Sequence, residues 1–184
     1  MELLKPIRIA VAALLFGWLT TPFTAAPLPP ADAQREYALK SVFLYNFCRF
    51  IEWPSEAFRG PNEPMVIGII GEDPFGRLLE EAIEGETFRG HPIRIEHYRR
   101  AGDIACHVLF VSRSETAHIP DILAAVAGRS VVTVGESDLF LDRGGMIALT
   151  TDQNRVRLRI NPPRLRAANL VVSSKLLRVA EPKS

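Results

Sequence analysis

The 184-residue chain carries 22 Lys and Arg against 21 Asp and Glu, and 47% of it is hydrophobic. That length suits one compact core, and so even a charge balance leaves no electrostatic footprint for nucleic acid. The four histidines, His91, His97, His107 and His118, form no H-x-H or H-x-x-x-H pair, so metal-ligand spacing is absent and no metal is expected.

The first 26 residues read as a signal peptide. Lys5 and Arg8 precede the apolar run Ile9 to Leu19, and small residues follow up to Ala26. The apolar run is too short for a bilayer, which needs about 20 residues. Removal of 1–26 takes away Lys5, Arg8 and Glu2 and brings the charge balance from +1 to zero. Export through such a leader is expected to carry the mature protein out of the cytoplasm. Residues 27–35, rich in Pro and Ala, read as a flexible lead-in, and 36–184 as a single domain.

From Asp32 to Trp53 the pattern is helical. At ~100° per residue, Leu39, Phe43, Phe47 and Phe50 form one stripe, flanked by Leu44 and Ile51 on one side and Val42 and Trp53 on the other. Ser41, Tyr45, Cys48 and Glu52 point away from it, and Pro54 ends the helix. Asn46 falls within the apolar arc. It reads as a buried amide satisfied by loop backbone, with a ligand contact as the alternative.

"MVIGIIG" (65–71) reads as a buried strand. "EDPFGRLLEEAIEG" follows as a helix with Asp73 as N-cap and Pro74 in its first position, stopped at Gly85. "PIRIEHY" (92–98) alternates as a half-exposed strand, and "CHVLFVS" (106–112) is another buried one. "TAHIPDILAAVAG" gives a helix ending at Gly128, and "SVVTVG" (130–135) a further strand. "MIALT" and "RVRLRIN", joined by the polar "TDQN", predict a hairpin. "PPRLRAANL" and "SSKLLRVA" predict two short closing helices, the second capped by Ser173. Alternation of strands and helices predicts an α/β domain: a mainly parallel sheet flanked by helices, with an antiparallel C-terminal hairpin.

No catalytic constellation emerges. "GEDPFG" follows a strand but contains neither a Walker loop nor G-x-G-x-x-G, and Glu72 and Asp73 would repel phosphate. Phospho-receiver chemistry needs a carboxylate at the end of a following strand, where this chain offers Ser112. Cys106 and His107 are adjacent and point to opposite faces of a strand, which works against a nucleophile–base pair. No G-x-S-x-G occurs. The chain reads as a non-enzyme without a cofactor.

In "RVRLRIN", Arg155, Arg157 and Arg159 share one strand face opposite Val156, Leu158 and Ile160. Three guanidiniums could grip an acidic partner or simply keep a strand soluble, and Arg164 and Arg166 follow closely. Cys48 and Cys106 are a candidate disulfide pair, since an oxidising compartment favours pairing. Cys48 lies about 140° from the centre of the apolar stripe at ~100° per residue, which opposes a bridge across the core. Bridged, free and intermolecular states stay open.

From Tyr37 to Ala180 the chain resembles the YfiR family of exported bacterial proteins. The likeness rests on "LKSVFLYNFCRFIEWP", "IGIIGEDPFG", "CHVLFVS", "GGMIALT" and "RLRINPPRLRAANLVVSSKLLRVA", in that order and spacing. It implies a helix-flanked sheet and a non-catalytic periplasmic repressor of an inner-membrane diguanylate cyclase, relieved by an outer-membrane lipoprotein, with homodimers and small aromatic or nucleotide-like ligands. A sensor kinase is the other partner it allows, and a small-molecule receptor acting with such a kinase is the alternative function. One departure concerns the thiols: the family's usual partner for a cysteine like Cys106 lies in the first strand, where this chain has Gly68. The residues expected to meet a partner or ligand are Asn46, Arg49, Trp53, Arg155, Arg157, Arg159 and Arg166.

Overall fold

A computed structural model describes residues 31–60 and 62–180. The expected signal peptide (1–26) lies outside the described residues. The segment expected to be a flexible lead-in is helical from residue 31, because α1 already begins there (Ala31–Phe50).

After α1 the chain runs through β1 (Ile51–Glu52), β2 (Met65–Ile70), α2 (Arg77–Ile83), β3 (Thr87–Phe88), β4 (His91–Tyr98) and β5 (Val108–Val111). It continues through α3 (Ile119–Ala125), β6 (Val132–Gly135), α4 (Asp138–Asp142), β7 (Ile147–Asp152), β8 (Arg155–Ile160), α5 (Pro162–Ala167), β9 (Val171–Val172) and α6 (Ser174–Val179). Seven strands form one sheet in the order β3-β4-β2-β5-β6-β7-β8. The five from β4 to β7 are parallel, while β3 and β8 pair antiparallel at the two edges. The expected mainly parallel α/β domain with a terminal hairpin is the fold observed.

The hairpin β7–β8 turns on Gln153 and Asn154, both at positive φ (47° and 59°). Two left-handed residues make the tight turn whose twist matches the flanking strands, and Asn tolerates that backbone better than most residues.

Residues alternate between two cores, one on each face of the sheet. Met65, Ile67 and Ile69 of β2 and Val108 and Phe110 of β5 face α1, α2, α5 and α6. Val66, Ile70, Leu109 and Val111 face α3 and α4. This alternation decides the cysteines. Cys48 belongs to the first core and Cys106 to the second, and both are free thiols. The sheet stands between them, so the candidate disulfide is not formed. Burial pushes both thiols up to about 12, which leaves them protonated and unreactive.

Several local expectations need correction. The face that α1 turns to the sheet carries Lys40, Ser41, Leu44, Tyr45, Phe47 and Cys48. Cys48 is therefore fully buried rather than turned away, while Leu39 and Val42, expected inside, are each 45% exposed. Asn46 is half-buried on the outer side, not a buried amide. The helix also stops at Phe50: Ile51 and Glu52 leave it to pair antiparallel with Val172 and Val171. Asp73 caps a turn instead of a helix. Its Oδ1 accepts from the N–H groups of Phe75 (2.8 Å) and Gly76 (3.3 Å), and α2 starts only at Arg77. Ser173 caps α6 as expected, accepting from the Leu176 N–H.

Candidate functional site

The parallel strands β4-β2-β5-β6-β7 follow the order 2-1-3-4-5. The chain leaves β2 toward one edge, then crosses to the other side of β2. In such doubly wound sheets a crevice opens at the reversal, outside the carboxyl ends of the two central strands, and ligands favour it. Here the reversal lies between β2 and β5. The segments that follow these strands touch: the Glu72 N–H donates to Ser114 Oγ (3.0 Å), and a Cβ at Gly71 (φ 91°) would run into Ser114. Ser112 directly follows β5 and uses its hydroxyl to accept from the Ser114 N–H.

The first half of α1 closes this crevice with charge. Lys40 is wholly buried, and its Nζ donates to Glu136 (2.6 Å) and Glu36 (2.5 Å). Glu136 directly follows β6, and its side chain is 1% exposed. Arg113, just past β5, lies 3.6 Å from Glu136 and 3.8 Å from Glu36. Two carboxylates and two cations thus balance. Burial opposes ionisation of Glu36, but the hydrogen bond from Lys40 and the charges of Lys40 and Arg113 outweigh it and hold its carboxyl below the usual range. Tyr37 is pushed up to about 12, by burial first and by Glu136 second, so it stays a neutral donor. The Lys40 ammonium also stands 4.9 Å above the Tyr37 ring.

Tyr37 meets Phe75 edge-on (5.6 Å between centroids), and Phe75 meets Phe110 in the same way (4.7 Å). Beside them opens a cleft of about 700 Å³ between α1 and the 73–78 segment, lined by Ala33, Gln34, Tyr37, Phe75, Arg77 and Glu81 among others. Its size falls within the range of small-molecule pockets, about 300–1,000 Å³.

The residues expected to form a site are scattered. Trp53 is core, 6% exposed and edge-on to Phe88, so it presents no surface to a partner. Arg49 is exposed but donates to the Tyr45 hydroxyl (3.2 Å), which itself donates to Glu86. Arg159 pairs with Asp138 and Arg157 with Asp152 (3.2 Å), so two of the three strand arginines are engaged within the protein. Arg155 is exposed at the hairpin, and Arg166 is exposed on α5. Sequence reasoning missed Lys40, Glu136, Arg113 and Tyr37. The available signals were the Glu36–Lys40 spacing of four and an acidic residue directly after a buried strand.

At the amino ends of the strands the structure is held by rings. Phe58 is sandwiched between His107 (4.5 Å) and His91 (4.6 Å). His107 Nδ1 accepts from the Val66 N–H (3.1 Å), so its proton sits on Nε2 and is donated to the Ala57 carbonyl (3.1 Å). Burial lowers the pKa of this ring.

The fold and crevice define a doubly wound, single-domain α/β protein. Residues 37–181 match the YfiR/HmsC-like family, and the chain belongs to it. That family is one of periplasmic regulators of cyclic di-GMP signalling. No curated protein sequence matches the chain. Among solved structures, a conserved domain protein from Vibrio cholerae is similar, with a TM-score of 0.50 and 12% identity over 65% of this chain and 55% of that one. The ABC domain from Streptococcus pneumonia, solved in complex with L-Trp, has a TM-score of 0.48 and 12% identity over 82% of this chain and 61% of that one. The chain therefore spans between 55% and 61% of the length of these two proteins. At such identity the first likeness concerns the fold alone. No helix among the described residues is long and apolar enough to cross a membrane.

Proposed function

We propose that this protein is a non-catalytic periplasmic regulator that binds the periplasmic part of an inner-membrane diguanylate cyclase and holds it inactive. The observation that carries this reading is the family match over 37–181. The geometry is consistent with it, since the most charged assembly is spent on holding α1 to the sheet rather than on presenting a reactive group. Repression requires tighter binding to the inactive cyclase than to the active one, because equal affinity shifts no equilibrium. Deleting the gene should raise cellular cyclic di-GMP, and an unchanged level would sink this reading. Co-purification from solubilised membranes should recover the cyclase or, in the sensor-kinase version, a kinase.

The cleft beside Tyr37 and Phe75 favours a second reading, a small-molecule receptor. Its place between α1 and the segment that follows β2, and its aromatic wall, support it. A thermal-shift screen with nucleotides and aromatic amino acids tests it. A shift of several degrees that Tyr37→Ala abolishes, with partner binding unchanged, is the expected signature.

A further inference from the structure

The regulator reading leaves open which surface meets the partner, and the distribution of satisfied and unsatisfied groups narrows the choice. On β8, Arg157 and Arg159 turn to acids of this protein, Asp152 and Asp138. Arg155 is exposed and has no carboxylate partner among the described residues. On α1, Arg49 is tied to Tyr45, whereas Arg35 is exposed and likewise unpaired among the described residues. The two uncommitted guanidiniums line the same groove. It has a volume of about 380 Å³ and runs between the first turns of α1 (Asp32, Arg35, Glu36, Leu39) and the hairpin tip (Thr151, Asn154, Arg155, Val156).

The uncommitted apolar surface of α1 adjoins that groove. Leu39 forms part of its wall, and Val42 continues the stripe one turn on. Exposed apolar side chains beside unpaired arginines describe a binding surface better than a solvated helix face. Glu36 is neutralised by Lys40, which leaves two free cations and one free acid, Asp32, per groove.

We propose that this groove seats an acidic segment of the signalling partner, with an Asp or Glu between Arg35 and Arg155 and an apolar neighbour on Leu39 and Val42. The proposal rests on the regulator reading. A guanidinium holds a carboxylate through two parallel N–H···O bonds, which would fix the segment's register. The groove's volume suits one or two side chains, so the segment is an extended or helical stretch laid along α1. A second copy of this chain fits worse: self-pairing would gather four uncommitted guanidiniums against two free acids.

The test compares variants in a host deleted for this gene, with cyclic di-GMP as the readout. R35E/R155E and L39S/V42S should fail to restore repression. Wild type and a control pair on α6, K175E/R178E, should restore it. Purified variants should melt within about 4 °C of wild type, which separates a lost contact from a lost fold. If either groove pair represses as well as wild type, the groove is not the contact and the regulator reading survives. If deletion itself leaves cyclic di-GMP unchanged, the regulator reading falls and takes this partner with it. A wild-type dimer in sedimentation, dissociated by L39S/V42S, would make the groove a self-interface and overturn the proposal.

Discussion

The two ends of the parallel sheet are held by opposite means. At the carboxyl end α1 is fixed by a buried network of charges, Lys40 between Glu36 and Glu136 with Arg113 alongside. At the amino end the 53–60 segment is fixed by stacked rings, Phe58 between His91 and His107, with Phe88 against Trp53. Charges in low dielectric bind strongly only when every partner is present, whereas stacked rings lose stability in smaller steps. Loss of one group should therefore loosen the carboxyl end far more sharply, and that is the end where the crevice and groove lie.

The largest expected effect follows directly. Lys40→Met leaves Glu36 and Glu136 facing one another with only Arg113 to compensate, and should destabilise the protein by about 3–5 kcal/mol in urea unfolding. Adding Glu136→Leu should recover much of that loss, because an apolar pair needs no partner. At the other end Phe58→Ala, at a half-buried ring, should cost about 2 kcal/mol in the same assay. An equal loss for Lys40→Met and Phe58→Ala would remove the contrast.

Acid sharpens the comparison. Burial holds the His107 pKa below its ordinary value in the folded protein, and Nδ1 already accepts from the Val66 N–H. The unfolded chain then binds more protons below pH ~6.5, so this contribution is intact above that pH and lost as pH falls toward the folded value. Glu63 raises the pKa of this ring and His91 lowers it, each by less than burial does. Glu36, held low, keeps its contribution until pH falls below the usual carboxylate range and loses it through the folded pKa. Two separate acid phases are expected, and His107→Phe should abolish only the one nearer neutrality. A single phase untouched by that variant would refute the assignment.

The last variant is read as a thiol count rather than as a stability change, at Gly68. A Cβ there would sit 2.8 Å from Cys106 Sγ and 3.1 Å from its Cβ, slightly inside disulfide spacing. Gly68→Cys should form a bridge with Cys106 once Tyr98 shifts, read as the loss of one titratable thiol, from two in wild type to one in the oxidised variant.

The strands were legible because four-to-eight-residue runs of Val and Ile carry their own signal. The facing of α1 was not. Its apolar residues surround the helix, so two stripes compete, and the winner is decided by Lys40 finding Glu136, 96 residues away. No local period contains that contact. The β1–β9 pair and the short helix α4 escaped for a related reason: two-residue strands and a five-residue helix leave almost no periodicity to read. The arginine alternation on β8 was legible, but which guanidiniums stay uncommitted depends on acids brought in by α4 and by the hairpin itself.

The β1–β9 ladder has a consequence for how the chain matures. It ties Ile51, directly after α1, to Val172, and the Ser173 N–H donates to the Phe50 carbonyl (2.9 Å). A chain delivered from its amino terminus can build β2 through β7 and seat Leu44, Phe47 and Cys48 of α1 on them before residue 171 arrives, but the residues just after α1 have no strand partner until then. The tie at the carboxyl end of the helix that carries the proposed contact surface is thus made last. A molecule interrupted before β9 would own most of its sheet and the charged anchor of α1, and still lack the latch that holds residues 50–52.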